Sequence, residues 1–151
     1  MNNRPSDLGL FTVDNTWRQG QLDAITRAVN SPKRFVGQCM PTGWGKSVCL
    51  IAQALQSGKR TLILTSSKEL QKQYTREFSY LNILDVQGKS NYICRAQELG
   101  GEFYDGTPAK RVNEAPCQFD EECGLKIAGC TYFDKVNQAK YKRLVQTNYA
   151  A

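Results

Sequence analysis

The apolar positions of this chain change period along its length, and the changes mark its elements. Leu22, Ile25 and Val29 recur at helical spacing and predict a helix over 16–29, with Asp14 or Asn15 as its cap and Ser31-Pro32 as its end. The next run, RFVGQCM at 34–40, predicts a buried strand. Helical spacing resumes at Val48, Ile51, Ala52 and Leu55, and Gly58 stands where a C-terminal cap belongs. TLILT at 61–65 is apolar and β-branched, the pattern of an inner strand of a parallel sheet. Ser66-Ser67 then cap a helix whose stripe is Leu70, Tyr74, Phe78 and Leu81, and a weaker strand is expected at 83–86. Helices alternating with strands in this way build a parallel sheet with right-handed crossovers.

Near Gly88 the periodicity is lost. Residues 88–132 are rich in Gly, Pro, Cys and acidic side chains, and read as an insertion. After it, a helix at 133–144 and a strand at 144–148, LVQTN, return to the alternating pattern. The expected organisation is therefore an arm at 1–15, a first α/β part at 16–87, the insertion at 88–132 and a return helix and strand at 133–151.

Composition narrows the classes. The 151 residues are 40% hydrophobic, which suits one compact domain with a real core. No apolar run reaches the ~18 residues of a membrane span, and MNNRPSDLGL lacks a basic-then-apolar leader, so a cytoplasmic location is expected. The net charge of +6 suits phosphate-rich partners, nucleic acid being the commonest, and is also ordinary among soluble domains. The chain contains no histidine, which removes Ser-His and Cys-His nucleophile pairs and imidazole metal ligands.

The stretch MPTGWGKSVCL, starting at Met40, carries the chemistry. A strand, a Gly-bearing turn and a helix together form a phosphate cradle. Backbone N–H groups of the turn point at phosphate oxygens, and the helix N-terminus adds positive potential. Pro41, Thr42, Gly43, Trp44, Gly45, Lys46 and Ser47 form that cradle for ATP. Lys46 reaches the β- and γ-phosphates, and the Ser47 hydroxyl ligates Mg²⁺. Met40 stands where the strict G-x-x-x-x-G-K-[ST] pattern has its first glycine.

PTGWGKS resembles motif I of superfamily 2 helicases. Upstream, WRQGQLDAI resembles that family's Q motif, in which Arg18 and Gln21 match R-x-x-Q; the resemblance implies that Gln21 reads the adenine edge. Downstream, LILTSSKELQKQY is similar to motif Ia, which implies DNA contacts at Thr65, Ser66 and Lys68. The expected fold is an α/β, RecA-like P-loop NTPase with a parallel sheet and helices on both faces, interrupted by the cysteine-rich insertion.

Cys94, Cys117, Cys123 and Cys130 lie in or beside that insertion. Four thiolates suit a [4Fe–4S] cluster or a tetrahedral Zn²⁺, and their spacing is wider than the paired C-x₂-C of ordinary zinc sites. Cys39 and Cys49 read as core residues. Lys89-Ser90-Asn91-Tyr92 and Cys130-Thr131-Tyr132-Phe133, followed by V-x-T-N-Y, resemble the iron–sulfur helicases of the DinG/XPD type. That resemblance implies a [4Fe–4S] cluster on the four cysteines, with Zn²⁺ as the alternative. It also implies single-stranded or forked DNA as partner, with Tyr92, Tyr104, Tyr132 and Phe133 as stacking candidates. Lys135, Lys140, Lys142 and Arg143 form a basic helix suited to phosphates or to plain solvation.

One part is missing. An ATPase of this kind needs an acidic box for Mg²⁺ and the attacking water. Ile83-Leu84-Asp85 has the apolar-then-Asp form, but Val86-Gln87 follow it. The expectation is the N-terminal part of an ATP-dependent DNA helicase, competent to bind nucleotide but not to hydrolyse it alone. The alternatives are a metal-stabilised DNA-binding module with a vestigial phosphate turn, or another P-loop NTPase with a zinc insert.

Overall fold

The computed structural model describes residues 4–95, 111–115, 123–126 and 129–148. The chain divides into two units, Met1–Arg60 and Thr61–Ala151.

In the first unit, a 3-10 turn at Pro5–Leu8 precedes α1 (Gln21–Val29) and α2 (Lys46–Ser57). The helices pack on one another, with Leu10, Ile25, Cys49, Ile51 and Ala52 at 1% exposure or less. Full burial of one such aliphatic side chain stabilises by about 1.5–3 kcal/mol. The first helix starts five residues later than its pattern predicts. Asn15, one of the expected caps, is spent elsewhere: its Oδ1 accepts the Ser6 N–H and its Nδ2 donates to Ser6 Oγ. The N-cap of α1 is Gly20 instead.

The predicted strand at 34–40 does not form. Phe35 is 82% and Val36 47% exposed, and Cys39, expected in the core, is exposed as well. An apolar run becomes a strand only where another strand offers ladder partners, and this unit has none among the described residues. The segment is tied down through Gln38 instead. Its Nε2 donates to Ala24 O at 2.7 Å, and its Oε1 accepts from Gln53 Nε2 at 2.7 Å.

The second unit is a parallel α/β layer. Its strands are β1 (Thr61–Thr65), β2 (Leu84–Asp85) and β3 (Leu144–Asn148), in the order β1-β3-β2, with both pairings parallel. Helix α3 (Lys68–Glu77) packs on β1 and β3, and α4 (Thr131–Ala139) packs on β2. The caps expected at 66–67 resolve to Ser67, whose Oγ accepts the Leu70 N–H at 3.2 Å. β1, read as an inner strand, lies at the edge of this sheet. Its Ile63 and Thr65 are buried while Leu62 and Leu64 are 58% and 59% exposed, so it alternates as a half-covered strand does. The middle place goes to β3, which is the more polar sequence.

Polar side chains can occupy that middle strand because they bond to each other. Gln146 is fully buried, and its Nε2 donates to Gln71 O, Thr75 Oγ1 and Asp85 Oδ1. Gln71 Nε2 donates to Asp85 Oδ1 at 2.6 Å and to Val86 O at 3.1 Å, and its Oε1 accepts from Asn148 Nδ2. Gln87 Nε2 donates to Asp85 Oδ2 at 2.9 Å. Asp85 is thus the acceptor on which three glutamines converge. It anchors α3, β2 and β3 to one another.

Candidate functional site

The turn before α2 is built by two glycines in the left-handed region. Gly43 has φ 77° and Gly45, the N-cap of α2, has φ 88°. The chain can therefore reverse within four residues and deliver its next N–H groups to the start of a 12-residue helix. No side chain caps that helix, so its first N–H groups are left for a ligand. Pro41, Thr42 and Gly43 are exposed, and Trp44, Gly45 and Ser47 are half-buried.

The Lys46 side chain is exposed and folds back over the turn, donating to Met40 O at 3.3 Å and Pro41 O at 3.0 Å. Both partners are neutral carbonyls. A phosphate offers the same ammonium charge-assisted bonds roughly twice as strong. The cation is held over the turn by bonds it can exchange.

Gln21, expected to read the adenine edge, and Arg18, its partner in that motif, are engaged with the turn. Gln21 is 4% exposed, and both ends of its amide are engaged within the unit. Its Oε1 accepts the Arg18 N–H at 2.9 Å and its Nε2 donates to Trp44 O at 2.6 Å. The Arg18 guanidinium donates to Gly43 O. Both side chains brace the phosphate turn from behind, and Gln21 has no free edge for a base as it stands. Sequence reasoning found these residues and missed this role, because a 23-residue separation from Trp44 carries no local pattern.

Gly45 is also the point of closest approach. A Cβ there would lie 2.7 Å from Gln21 Nε2. Gly45→Ala combines left-handed strain of about 1–2 kcal/mol with loss of the Gln21–Trp44 bond, worth about 1 kcal/mol. We expect roughly 2–3 kcal/mol of destabilisation in urea unfolding. At Gly43 a Cβ meets nothing within 4 Å, so Gly43→Ala should cost only the conformational part, about half as much. Equal losses at the two positions would contradict this account of the brace.

The first unit also has an open groove of about 650 Å³ lined by Arg4, Asn15, Trp17, Arg18, Gln19 and Thr26, among others. The Trp17 indole N–H is buried and has no partner among the described residues. A volume in this range holds a small-molecule ligand.

The expected DNA contacts lie in the second unit and have unequal standing. Ser66 and Lys68 are exposed. Thr65 is 2% exposed and its Oγ1 lies 3.3 Å from both Ser67 O and Thr147 O, so its hydroxyl is structural. Tyr92 is 8% exposed. Its hydroxyl accepts the Gln87 N–H at 3.0 Å, its ring stands edge-on to Tyr132 at 5.5 Å, and the Lys135 ammonium lies 5.9 Å from its centroid. Burial first, and then the nearby negative charge of Asp85, push the Tyr92 phenol above its ordinary pKa, against the opposing effect of the Gln87 N–H. A ring so enclosed joins elements together and offers no open face to a base. Tyr132 in turn packs edge-on against Phe133 at 5.2 Å.

Of the four insertion cysteines, Cys94 and Cys130 are buried, Cys123 is half-buried, and Cys117 lies outside the described residues, as does Tyr104. Among the described residues no three Cys, Asp or Glu side chains converge as a metal-holding group. Cys49 is a core thiol, as expected, and burial raises its pKa to about 11. Asp85, which follows the apolar Ile83-Leu84, has both carboxylate oxygens occupied by glutamine amides and is not displayed to a metal.

A parallel α/β unit and a glycine-shaped turn heading a helix define a nucleotide-binding protein class. The sequence matches the model of the DEAD/DEAH box helicase family over residues 18–110, more than half of the chain, and the chain belongs to that family. The match takes in Arg18, Gln21, the phosphate turn and Cys94, and ends before Cys117, Cys123 and Cys130. The chain is 34% identical over 80 residues to the ATP-dependent DNA helicase YoaA of Escherichia coli (strain K12). That alignment covers 47% of this chain and 12% of the relative, so the chain spans a small part of that protein's length. No solved structure matches it. No helix among the described residues is long and apolar enough to cross a membrane.

Proposed function

We propose that this chain supplies the ATP-phosphate-binding part of an ATP-dependent DNA helicase. The observation that carries the reading is the turn at 40–47. Two left-handed glycines present an uncapped helix N-terminus, with Lys46 exposed above it and Arg18 and Gln21 behind it. Backbone N–H groups bind the phosphate oxygens, Lys46 exchanges its carbonyl partners for the terminal phosphates, and Ser47 is placed at the first turn to hold Mg²⁺. Bound Mg²⁺ neutralises charge on the phosphates. The nucleoside end is assigned to the groove lined by Trp17 and Arg18. Duplex separation and hydrolysis are proposed for the whole protein. Asp85 cannot serve as the acidic box, because its carboxylate is an internal acceptor.

The test is nucleotide binding by the 151-residue chain, read by fluorescence of its two tryptophans, Trp17 and Trp44. MgATP should quench or shift their emission saturably. No saturable response, together with no competition against a labelled nucleotide, would sink the reading.

The iron–sulfur form of the proposal is carried by sequence, through the four cysteines and the family resemblance around Lys89–Tyr92. Protein purified without oxygen should then show a broad absorption band near ~400 nm, and Cys130→Ser should abolish it. A colourless protein that holds one Zn²⁺ per chain would replace the cluster by the zinc alternative.

A further inference from the structure

The peptide that leads into α2 is held at its carbonyl. Trp44 O accepts from Gln21 Nε2 at 2.6 Å, and in a trans peptide the following N–H points the opposite way. The Gly45 N–H is therefore aimed away from Gln21, at the head of α2, whose N-cap is Gly45. Glycine leaves its own φ loosely restrained, so the direction of this peptide plane needs a hold from outside. The preceding peptide is held at both ends. Gly43 O accepts from the Arg18 guanidinium, and the Trp44 N–H donates to Pro41 O at 3.4 Å.

The hold is itself preorganised. The Gln21 N–H donates to Arg18 O at 3.0 Å, while Gln21 Oε1 accepts the Arg18 N–H at 2.9 Å. This reciprocal pair fixes the carbonyl end of the amide and presents Nε2 to Trp44 O. The residue is 4% exposed, so its rotamer is set on folding and little side-chain ordering is left to oppose a ligand.

We propose that Gln21 is a positioning residue for polyphosphate. By holding Trp44 O it aims the Gly45 N–H at a phosphate oxygen, and its effect on affinity is the same whatever base the nucleotide carries. The ligand class it serves is the magnesium-bound triphosphate chain, as ATP, as GTP or as inorganic tripolyphosphate. The proposal rests on the reading of the turn at 40–47 as a phosphate site, and it replaces the adenine contact that the family resemblance implies for Gln21.

The experiment titrates the full chain, Gln21→Ala and Gln21→Met with MgATP, MgGTP and magnesium tripolyphosphate by calorimetry. Gln21→Met keeps the buried volume and removes the amide. Each variant should lose roughly fivefold in affinity for all three ligands, the share of one neutral hydrogen bond, with the ATP-to-GTP ratio within about twofold of wild type. In NMR spectra the Gly45 amide proton of the wild-type chain should move downfield at saturating tripolyphosphate, and clearly less in Gln21→Met. A loss confined to MgATP makes Gln21 a base reader and overturns the proposal. Unchanged affinities, or a Gly45 shift equal to wild type in Gln21→Met, overturn it as well, because Gln21 then only stabilises the fold. Should neither variant fold, the wild-type chain decides: its Gln21 side-chain amide signal should respond alike to the three ligands, and a response to MgATP alone overturns the proposal. Failure of the wild-type chain to bind any of the three overturns the phosphate-site reading itself, and is seen before any variant is used.

Discussion

Lys46→Ala should lower ATP affinity by about one to two orders of magnitude and leave the stability of the chain within about 0.5 kcal/mol of wild type. The two halves of that expectation come from the same geometry. The ammonium is exposed, and among the described residues it bonds to the carbonyls of Met40 and Pro41, which water satisfies easily when the side chain is removed. Against a triphosphate the same group forms charge-assisted bonds, each worth about 1.5–3 kcal/mol. The backbone N–H groups of the turn remain in the variant, so some affinity for phosphate survives. Isothermal titration with MgATP, paired with urea unfolding, separates binding from folding. Affinity within threefold of wild type would remove Lys46 from the site. A large loss of stability would show instead that its bonds to the turn are structural.

Asp85→Ala is expected to destabilise the second unit by about 3 kcal/mol. Three glutamine side chains donate to this one carboxylate, and one of them, Gln146, is fully buried in the central strand. Removing the acceptor takes a charge-assisted bond from each of the three amides; Gln71 and Gln146 are buried, so water replaces theirs less readily than that of the half-buried Gln87. Gln146 Oε1 and Asn148 Oδ1 are already buried without partners among the described residues, so the lattice has little capacity to rearrange. The variant Gln146→Ala, alone and combined with Asp85→Ala, closes a double-mutant cycle. Coupling of about 1 kcal/mol or more, measured by chemical denaturation, is the expected signature of one network. Additive effects would mean that the glutamines stabilise the unit separately. A loss below about 1 kcal/mol in Asp85→Ala would mean that solvent satisfies the amides.

These two variants act on different levels. On the proposed reading Lys46 belongs to binding and leaves folding alone. Asp85 belongs to folding, although its position after an apolar strand is the one a metal-holding acid would occupy.

Local pattern was enough to find α2, α3, β1 and β3. Their apolar spacing is short-range, and Ser67 and Gly58 mark ends that a single residue type can mark. The phosphate turn was legible for the same reason. A reversal that places two residues at positive φ before a helix requires glycine, and the requirement is written at Gly43 and Gly45. The family resemblance at Arg18 and Gln21 was legible too, though their work was not. What the sequence determined by itself was therefore the elements α2, α3, β1 and β3 and the glycine-built turn.

The tertiary structure decided which strand is central, whether an apolar run pairs at all, and what each polar side chain is spent on. RFVGQCM has the composition of a strand, but a ladder needs a neighbour. LVQTN looks less suited to the interior and takes the middle place, because Gln71, Thr75 and Asp85, distant in sequence, receive its amides. Gln21 turned from the base to the Trp44 carbonyl, and Tyr92 from a stacking surface to a buried joint. Hydrogen bonding and burial depend on groups brought together across tens of residues, whereas periodicity and turn chemistry depend only on neighbours along the chain.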